Sequence, residues 1–452
     1  MTKNQAPQVI QPENVPVPNE PYSTAVKAGG WLFVSGQTAT DFSDSIAPQA
    51  TSVNSNLSND QKQQSLYIME KIDRIAKAAD MNIGKDGVRI WQWFVSPKPT
   101  HDDFRVGDTK TGLRITEYLE SRNLYVKEPR PASTAMGTKD HLIPNALLQV
   151  DVMLKEDGES VGTPAPDGVP APLAGYSPAI KRGDFVFLSG EIPVDWVGDF
   201  GSDKHYGPRS ALAKEARVNP YVWYGSEIEK QTDYTLWKLS KIAEAAGTTL
   251  DRAVKADVYI GDPADFEGMD RVWKKWFPEN PPARVVVPWL GMGGSGARIE
   301  IAFVLLDGDS QLEAVPIHTD NAPTPFGHEP QAIKAGNLLF LSHLQCANQD
   351  GVVPENLSQS VEFPHAKPTA RLQTREMMKH ASAICEAGGT SLENVVRRAC
   401  FLDTAANHAE CMDEFAAHFD GIKPASTTMS LEGRQVAKGA HSILDLIAWV
   451  PE

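Results

Sequence analysis

Three stretches of the chain repeat one pattern of apolar and polar positions. Residues 176–191 read Y-S-P-A-I-K-R-G-D-F-V-F-L-S-G-E, residues 22–37 read Y-S-T-A-V-K-A-G-G-W-L-F-V-S-G-Q, and residues 329–344 read E-P-Q-A-I-K-A-G-N-L-L-F-L-S-H-L. In each, a short extended segment meets a turn whose glycine is free to take positive φ, and a β-rich apolar run follows. The pattern predicts a hairpin. Copies spaced by roughly 150 residues, about one ordinary domain, imply a single unit used three times.

The periodicity then changes from two to about 3.6. In the first copy Leu66, Met69, Ile72, Ile75 and Ala79 fall three or four apart, which predicts a helix from about residue 60 with one apolar stripe facing inward. Matching helices are expected over 226–246 and from about 370 to 387. Gln64, Gln231 and Gln373 each stand sixteen positions before Asp80, Gly247 and Gly389, a coincidence that aligns the three helices. Strands are predicted at 87–95, 253–260 and 395–402. A second helix follows, led by Asp103-Phe104, Asp265-Phe266 and Asn407-His408, and it spans 266–276 in the middle copy and about 409–419 in the last. Each copy closes with a Pro-Ala pair (Pro131-Ala132, Pro282-Ala283, Pro424-Ala425) and two strands, the last at 147–154, 298–306 and 442–450. Stretches rich in Pro, Gly and acid at 155–173 and 307–324 read as extended surface linkers. The division is residues 1–165, 166–318 and 319–452. Hairpin, helix, strand, helix and two strands make an α+β layer with helices on one sheet face and the other face left to be covered.

Composition narrows the partners. A formal net charge of -15 argues against nucleic acid or an anionic membrane, since a polyanion would be repelled over most of the surface. The four cysteines, Cys346, Cys385, Cys400 and Cys411, lie in the last third without CxxC spacing and read as reduced structural thiols. The polar N-terminal segment carries neither a basic n-region nor an apolar h-region, so a cytoplasmic location is expected.

The phrase Y-x-x-A-I-K-x-G-x-x-x-F-x-S-G, a helix ending E-A-A-G, a Val-rich strand before a D-F loop, and P-A-R followed by I-E-I together resemble the Rid family of reactive intermediate deaminases, also called YjgF. The resemblance spans most of all three copies and is strongest in the second. It implies chorismate-mutase-like repeats closing into a single-chain pseudo-trimer, with a central β-barrel, helices outside and ligand clefts between neighbours. It further implies a cofactor-free hydrolase that turns an enamine or imine of an amino acid into a 2-oxo acid and ammonia in a catabolic pathway. No metal is implied, and the partner is a small-molecule carboxylate, with a homo-dimer of the whole chain as a further expectation.

Carried across residue by residue, the resemblance makes Arg284 the substrate-carboxylate ligand and Glu300 the group that positions or polarises water. Tyr176, Ser189, Gly190 and Glu191 complete the cleft. The second copy keeps this set, whereas the first has Ser133 and Gln149 and the third has Ser426, with Ile443 or Leu444 at the glutamate position and His343 for the glycine. One complete cleft is therefore expected, in the middle copy. On the residues alone, a guanidinium fork on a strand suits a carboxylate, and the plainer reading of Arg284 is a surface arginine paired with an acid. A carboxylate inside the apolar run I-E-I-A-F-V-L-L is costly to bury, which suits a raised pKa and acid–base work; the plainer reading of Glu300 is a solvent-facing position or a simple partner for Arg284. Tyr176 could equally be packing and Ser189 turn chemistry. A long insertion after Glu191 carries Trp196, His205, Tyr206, Tyr221, Trp223 and Tyr224; it reads either as pocket lining, with Trp196 against substrate, or as a packed surface flap. Two further readings stay open: a site for a cyclic carboxylate, as in chorismate-cleaving relatives, and a non-catalytic small-molecule binding scaffold.

Overall fold

The hairpins close as expected in the computed structural model, which describes residues 5–52, 60–95, 115–172, 174–195, 212–218, 226–289, 294, 296–359, 362, 367–431, 433 and 435–451. Gly29, Gly183 and Gly336 take φ of 54°, 58° and 57° at the three turns, a region costly for a side chain. The first repeat contains β1 (Gln8–Val9), β2 (Ala25–Ala28), β3 (Trp31–Gln37), α1 (Asp60–Ala78), β4 (Gly87–Val95), α2 (Thr116–Tyr125), β5 (Ala132–Thr138) and β6 (Leu148–Lys155). The second contains β7 (Val161–Thr163), β8 (Ala179–Arg182), β9 (Phe185–Glu191), α3 (Glu227–Ala245), β10 (Ala253–Ile260), α4 (Phe266–Trp276), β11 (Ala283–Pro288) and β12 (Ile299–Leu306). The third contains β13 (Val315–Ile317), β14 (Ala332–Ala335), β15 (Leu338–Leu341), α5 (Thr369–Ala387), β16 (Val395–Leu402), α6 (His408–Ala416), β17 (Ala425–Ser430) and β18 (Ser442–Trp449). The segments expected to be plain linkers thus supply the edge strands β7 and β13, so the second and third sheets begin before the boundaries drawn at 166 and 319. The Asp103-Phe104 lead of the first repeat's second helix lies outside the described residues.

All three sheets have the same six-stranded order, β1-β2-β3-β6-β4-β5 and its equivalents, with only the β4/β5, β10/β11 and β16/β17 pairs parallel within the sheets. The equivalent glutamines explain their register. Gln64 donates to Asn145 O (3.0 Å) and accepts from Leu147 N (2.8 Å), Gln231 bonds Gly296 O and Arg298 N (3.0 and 2.7 Å), and Gln373 bonds Gly439 O and His441 N (3.0 and 2.9 Å). Each helix therefore pins the loop entering the last strand, so that backbone groups taken from water remain bonded. In the middle repeat, Ser226 caps α3 in a capping box with Glu229.

One apolar cluster fills the space between each sheet and its helices, and a further one is shared by the inner faces of all three sheets. In that shared core Trp93, Tyr259 and Phe401, one from each repeat, converge with ring centroids 6.1 and 5.5 Å from Trp93. Burying each such side chain contributes about 1.5–3 kcal/mol. A closed central barrel is the expectation; among the described residues the three sheets form separate ladders, and the junctions are bridged by a serine side chain at each and by single backbone bonds at two, His343 N to Arg284 O (2.8 Å) and Ser23 N to Pro424 O (3.1 Å).

Buried charges cross the same junctions in one rotational sense. Arg89 of the first repeat bonds Asp257 of the second (2.9 Å), Lys255 of the second bonds Asp445 of the third (2.5 Å), and Arg397 of the third bonds Asp151 of the first (3.0 Å). Removing one partner of a buried pair typically costs about 3–5 kcal/mol, so the cycle specifies which repeat faces which. The four cysteines are buried and unpaired, as read from their spacing. No helix of the described residues is long and apolar enough to cross a membrane.

Candidate active site

Each cleft is built from two repeats, at the junction where the strand after Pro-Ala meets the next repeat's hairpin. Ser133 N donates to Ser189 Oγ (2.9 Å), Arg284 N to Ser342 Oγ (3.1 Å) and Ser426 N to Ser35 Oγ (2.8 Å). Those hydroxyls donate in turn to Ser177 O, Pro330 O and Ser23 O at 2.8, 2.6 and 2.5 Å. Ser189 is thereby committed on both sides and holds the seam together; its hydroxyl is not free to attack.

This geometry separates residues that one repeat's sequence places together. Arg284 lies in the seam between the second and third repeats, whereas Tyr176, Ser189, Gly190, Glu191 and Glu300 lie in the seam between the first and second. The expectation of one cleft holding all of them is corrected: a repeat gives its Pro-Ala strand to one neighbour and its hairpin to the other. Trp196 lies outside the described residues.

Arg284 is fully buried and already neutralised. Its Nε and Nη2 both bond Glu329 Oε2, the former at 2.8 Å, and Nη2 also bonds Asp270 Oδ1 at 2.6 Å. The guanidinium lies 4.8 Å from the Trp273 ring centroid. Glu329 stands at the position of Tyr176 in the repeated phrase, so the chain's own carboxylate fills this arginine's fork. Burial pushes the Glu329 carboxyl up, and Arg284 pulls it back only in part. Asp270, also raised by burial, is held below the ordinary range by the charge and hydrogen bond of Arg284. His343, at the glycine position, stacks on Phe326 (5.4 Å), accepts from Val286 N (3.0 Å) and is driven down to about 3 by burial and by Arg284.

The seam between the first and second repeats differs. Glu300 is buried on β12 with its carboxyl against Gly190, where a Cβ would collide with Oε1; this close approach requires the glycine. Burial raises Glu300 to about 8 and the neighbouring Glu191 adds to the rise, while Arg89, the Ala135 N–H and Lys238 offset part of it. Glu191 is bridged by Lys238 at 2.6 Å and accepts from the Tyr176 hydroxyl at 3.2 Å. Burial and the two glutamates push the Tyr176 phenol far above its ordinary range, so it remains a donor. Opposite them Ser133 accepts from Gln92 Nε2 (2.7 Å), and Arg122 of α2 reaches across to Gly175 O (2.9 Å), the residue before Tyr176. Burial holds the Arg122 guanidinium below its usual value, and its Nε has no hydrogen-bond partner among the described residues. A carboxyl poised near neutrality, a fixed phenol and a buried cation can together bind an anion and move a proton.

Gln149 takes the place of Glu300 in the first repeat, likewise against a glycine, Gly36, and Ile443 takes it in the third. Lys238, Arg122 and Glu329 were not singled out from the sequence. Lys238 had a signal, a lysine on the inward stripe of an amphipathic helix.

The family model described as Endoribonuclease L-PSP matches residues 168–306. A RutC family protein of Saccharolobus solfataricus is 35% identical over 118 residues, which are 26% of this chain and 76% of that protein. The chain belongs to the Rid family, also known as RutC and YjgF. Among Rid relatives, a protein of Acinetobacter baylyi named 3-aminoacrylate deaminase RutC is 32% identical over 139 residues, or 31% of this chain and 92% of that one. A chorismatase crystal structure aligns over 80% of this chain and 93% of its own, with 11% identity and a TM-score of 0.47. These Rid matches are to proteins about one repeat long.

Proposed function

We propose that the seam between the first and second repeats hydrolyses an enamine or imine that carries a carboxylate, giving the oxo acid and ammonia. The observation that carries this reading is the buried carboxyl of Glu300, held near 8 beside Glu191 and a glycine that lets it approach the cleft. Such a group is largely protonated at neutral pH and can both give and take a proton, which typically contributes about 10²- to 10⁴-fold in rate. The similarity to a relative named 3-aminoacrylate deaminase supports the reaction class.

In this reading the neutral Glu300 gives its proton to the enamine carbon, forming an iminium ion. The oxygen of water then bonds the iminium carbon and one water proton passes to the Glu300 carboxylate. Glu300 next protonates the amine of the carbinolamine, which leaves as ammonia with the C–N electron pair. The remaining hydroxyl proton returns to Glu300, leaving the carbonyl product. Tyr176 and Lys238 hold Glu191 in place, and Glu191 keeps the Glu300 proton bound. Arg122 receives the substrate carboxylate, a role that the paired Arg284 cannot fill at this seam.

Ammonia release from freshly generated 2-aminoacrylate and 3-aminoacrylate, followed from pH 6 to 9.5, tests the proposal. The expected kcat/KM is level below pH 7 and falls about tenfold per unit above about 8, as the free enzyme loses the Glu300 proton. Absence of ammonia release from either compound, or a profile that Glu300→Gln leaves unchanged, would refute it.

A further inference from the structure

We propose that the seam between the third and first repeats holds a second site, one that binds a small organic carboxylate on Arg398 without hydrolysing it. Arg398 is fully buried on β16 and pairs across the ladder with Ser426, as Ala256 pairs with Arg284 in the middle repeat. The arginine and the small residue have exchanged strands. Even so, the guanidinium reaches an equivalent place. It lies 4.6 Å from the Phe415 ring centroid, where Arg284 lies 4.8 Å from Trp273, and the two rings occupy the same position of α6 and α4.

The surroundings of the two arginines differ in one respect that matters for binding. Nε and Nη2 of Arg284, the side-on fork, both bond Glu329. Arg398 uses Nη1 for Ser426 Oγ (2.8 Å) and Thr428 Oγ1 (3.1 Å), and its Nε and Nη2 have no hydrogen-bond partner among the described residues. Both acids that neutralise Arg284 are replaced here: Met412 stands at the position of Asp270, and Tyr22 of the first repeat stands at that of Glu329. A buried cation without a counter-charge is strongly destabilising, and a side-on fork matches the two oxygens of one carboxylate. In the middle repeat the same two nitrogens close on a carboxylate of the chain itself, both bonding Glu329 Oε2.

The opposite wall defines what the site does with its ligand. Gln149, at the Glu300 position, is a neutral amide bonded to Gly36 O (3.2 Å), and Ser35 is occupied by Ser426 N and Ser23 O. Neither can shuttle a proton as a carboxyl can, so the site retains a carboxylate ligand and leaves it unchanged. This inference is independent of the reaction proposed for the first seam, and ammonia release does not bear on it.

Calorimetric titration of the full chain with 2-oxobutanoate tests the proposal, using wild type, Arg398→Lys and Glu300→Gln. The expected result is a binding event that Arg398→Lys weakens at least tenfold, because lysine keeps the charge but loses the fork, and that Glu300→Gln leaves within about twofold. No binding to wild type, or binding indifferent to Arg398→Lys, would overturn it. Should Arg398→Lys melt well below wild type, a crystal of the wild-type chain soaked in 2-oxobutanoate decides. A carboxylate on Nε and Nη2 of Arg398 supports the site, and a ligand found only elsewhere, or none, overturns it.

Discussion

Replacing Glu300 by glutamine should make the protein more stable at alkaline pH while removing its chemistry. Below about pH 4.5 the Glu300 carboxyl is protonated in both folded and unfolded chains, and its raised folded value contributes fully. As pH rises from 4.5 through about 8, the unfolded chain releases the proton and the folded one retains it, so stability is progressively lost. Over that window the loss amounts to about 5 kcal/mol, at about 1.4 kcal/mol per pH unit. Glutamine has the same shape and does not titrate. The stability gap between Glu300→Gln and wild type should therefore move in favour of the variant by about 3 kcal/mol between pH 5.5 and 8.5. Guanidinium melts at those pH values measure the gap, and groups shared by the two proteins largely cancel in the difference. Ammonia release by the variant should fall by about 10²- to 10⁴-fold. A gap that stays constant with pH would show that Glu300 titrates normally and would remove the basis for its assigned proton transfer.

Arg284→Ala leaves Glu329 buried without its cation and Asp270 with only the exposed Lys274 (3.1 Å), and should cost about 3–5 kcal/mol in guanidinium melts, while the KM for ammonia release stays within about twofold. A large rise in KM with unchanged stability would return Arg284 to the substrate. Gly190→Ala sets a methyl group against Glu300 Oε1; it should lower the rate at least about tenfold and cost about 1–3 kcal/mol, read from rates and thermal melts together. Gln231→Ala strands Gly296 O and Arg298 N and should cost about 1–3 kcal/mol without a change in the pH profile of the reaction.

The repeat, its hairpins and its helices were legible because period-two and period-3.6 patterning, turn glycines and the aligned glutamines all act within about 80 consecutive residues. The site was less legible because it is assembled between repeats. Alignment equates Arg284 with Ser133 and Ser426 but says nothing about which repeat's hairpin each one faces, so Arg284 and Glu300 were assigned to one cleft that the chain divides between two seams. Glu329 could have been suspected as an acid standing where the other copies have tyrosine. Arg398 also left a trace: in V-V-R-R-A-C-F-L two consecutive arginines interrupt a strand otherwise buried on both faces, so at least one needs a buried partner. Arg122 left less, since the approach to its helix departs from the other two copies.

The cyclic pairing of Arg89, Lys255 and Arg397 with acids on the next repeat also bears on how the molecule can be taken apart. Each third of the polypeptide owns one half of two different cross-links, so none is electrically whole by itself. Proteolytic nicking within 155–173 or 307–324 should yield fragments that still elute as one particle until denaturant is added. Expressing a single third in isolation would instead produce a fragment with unmatched inner charges and an uncovered sheet face, a poor substitute for the intact chain.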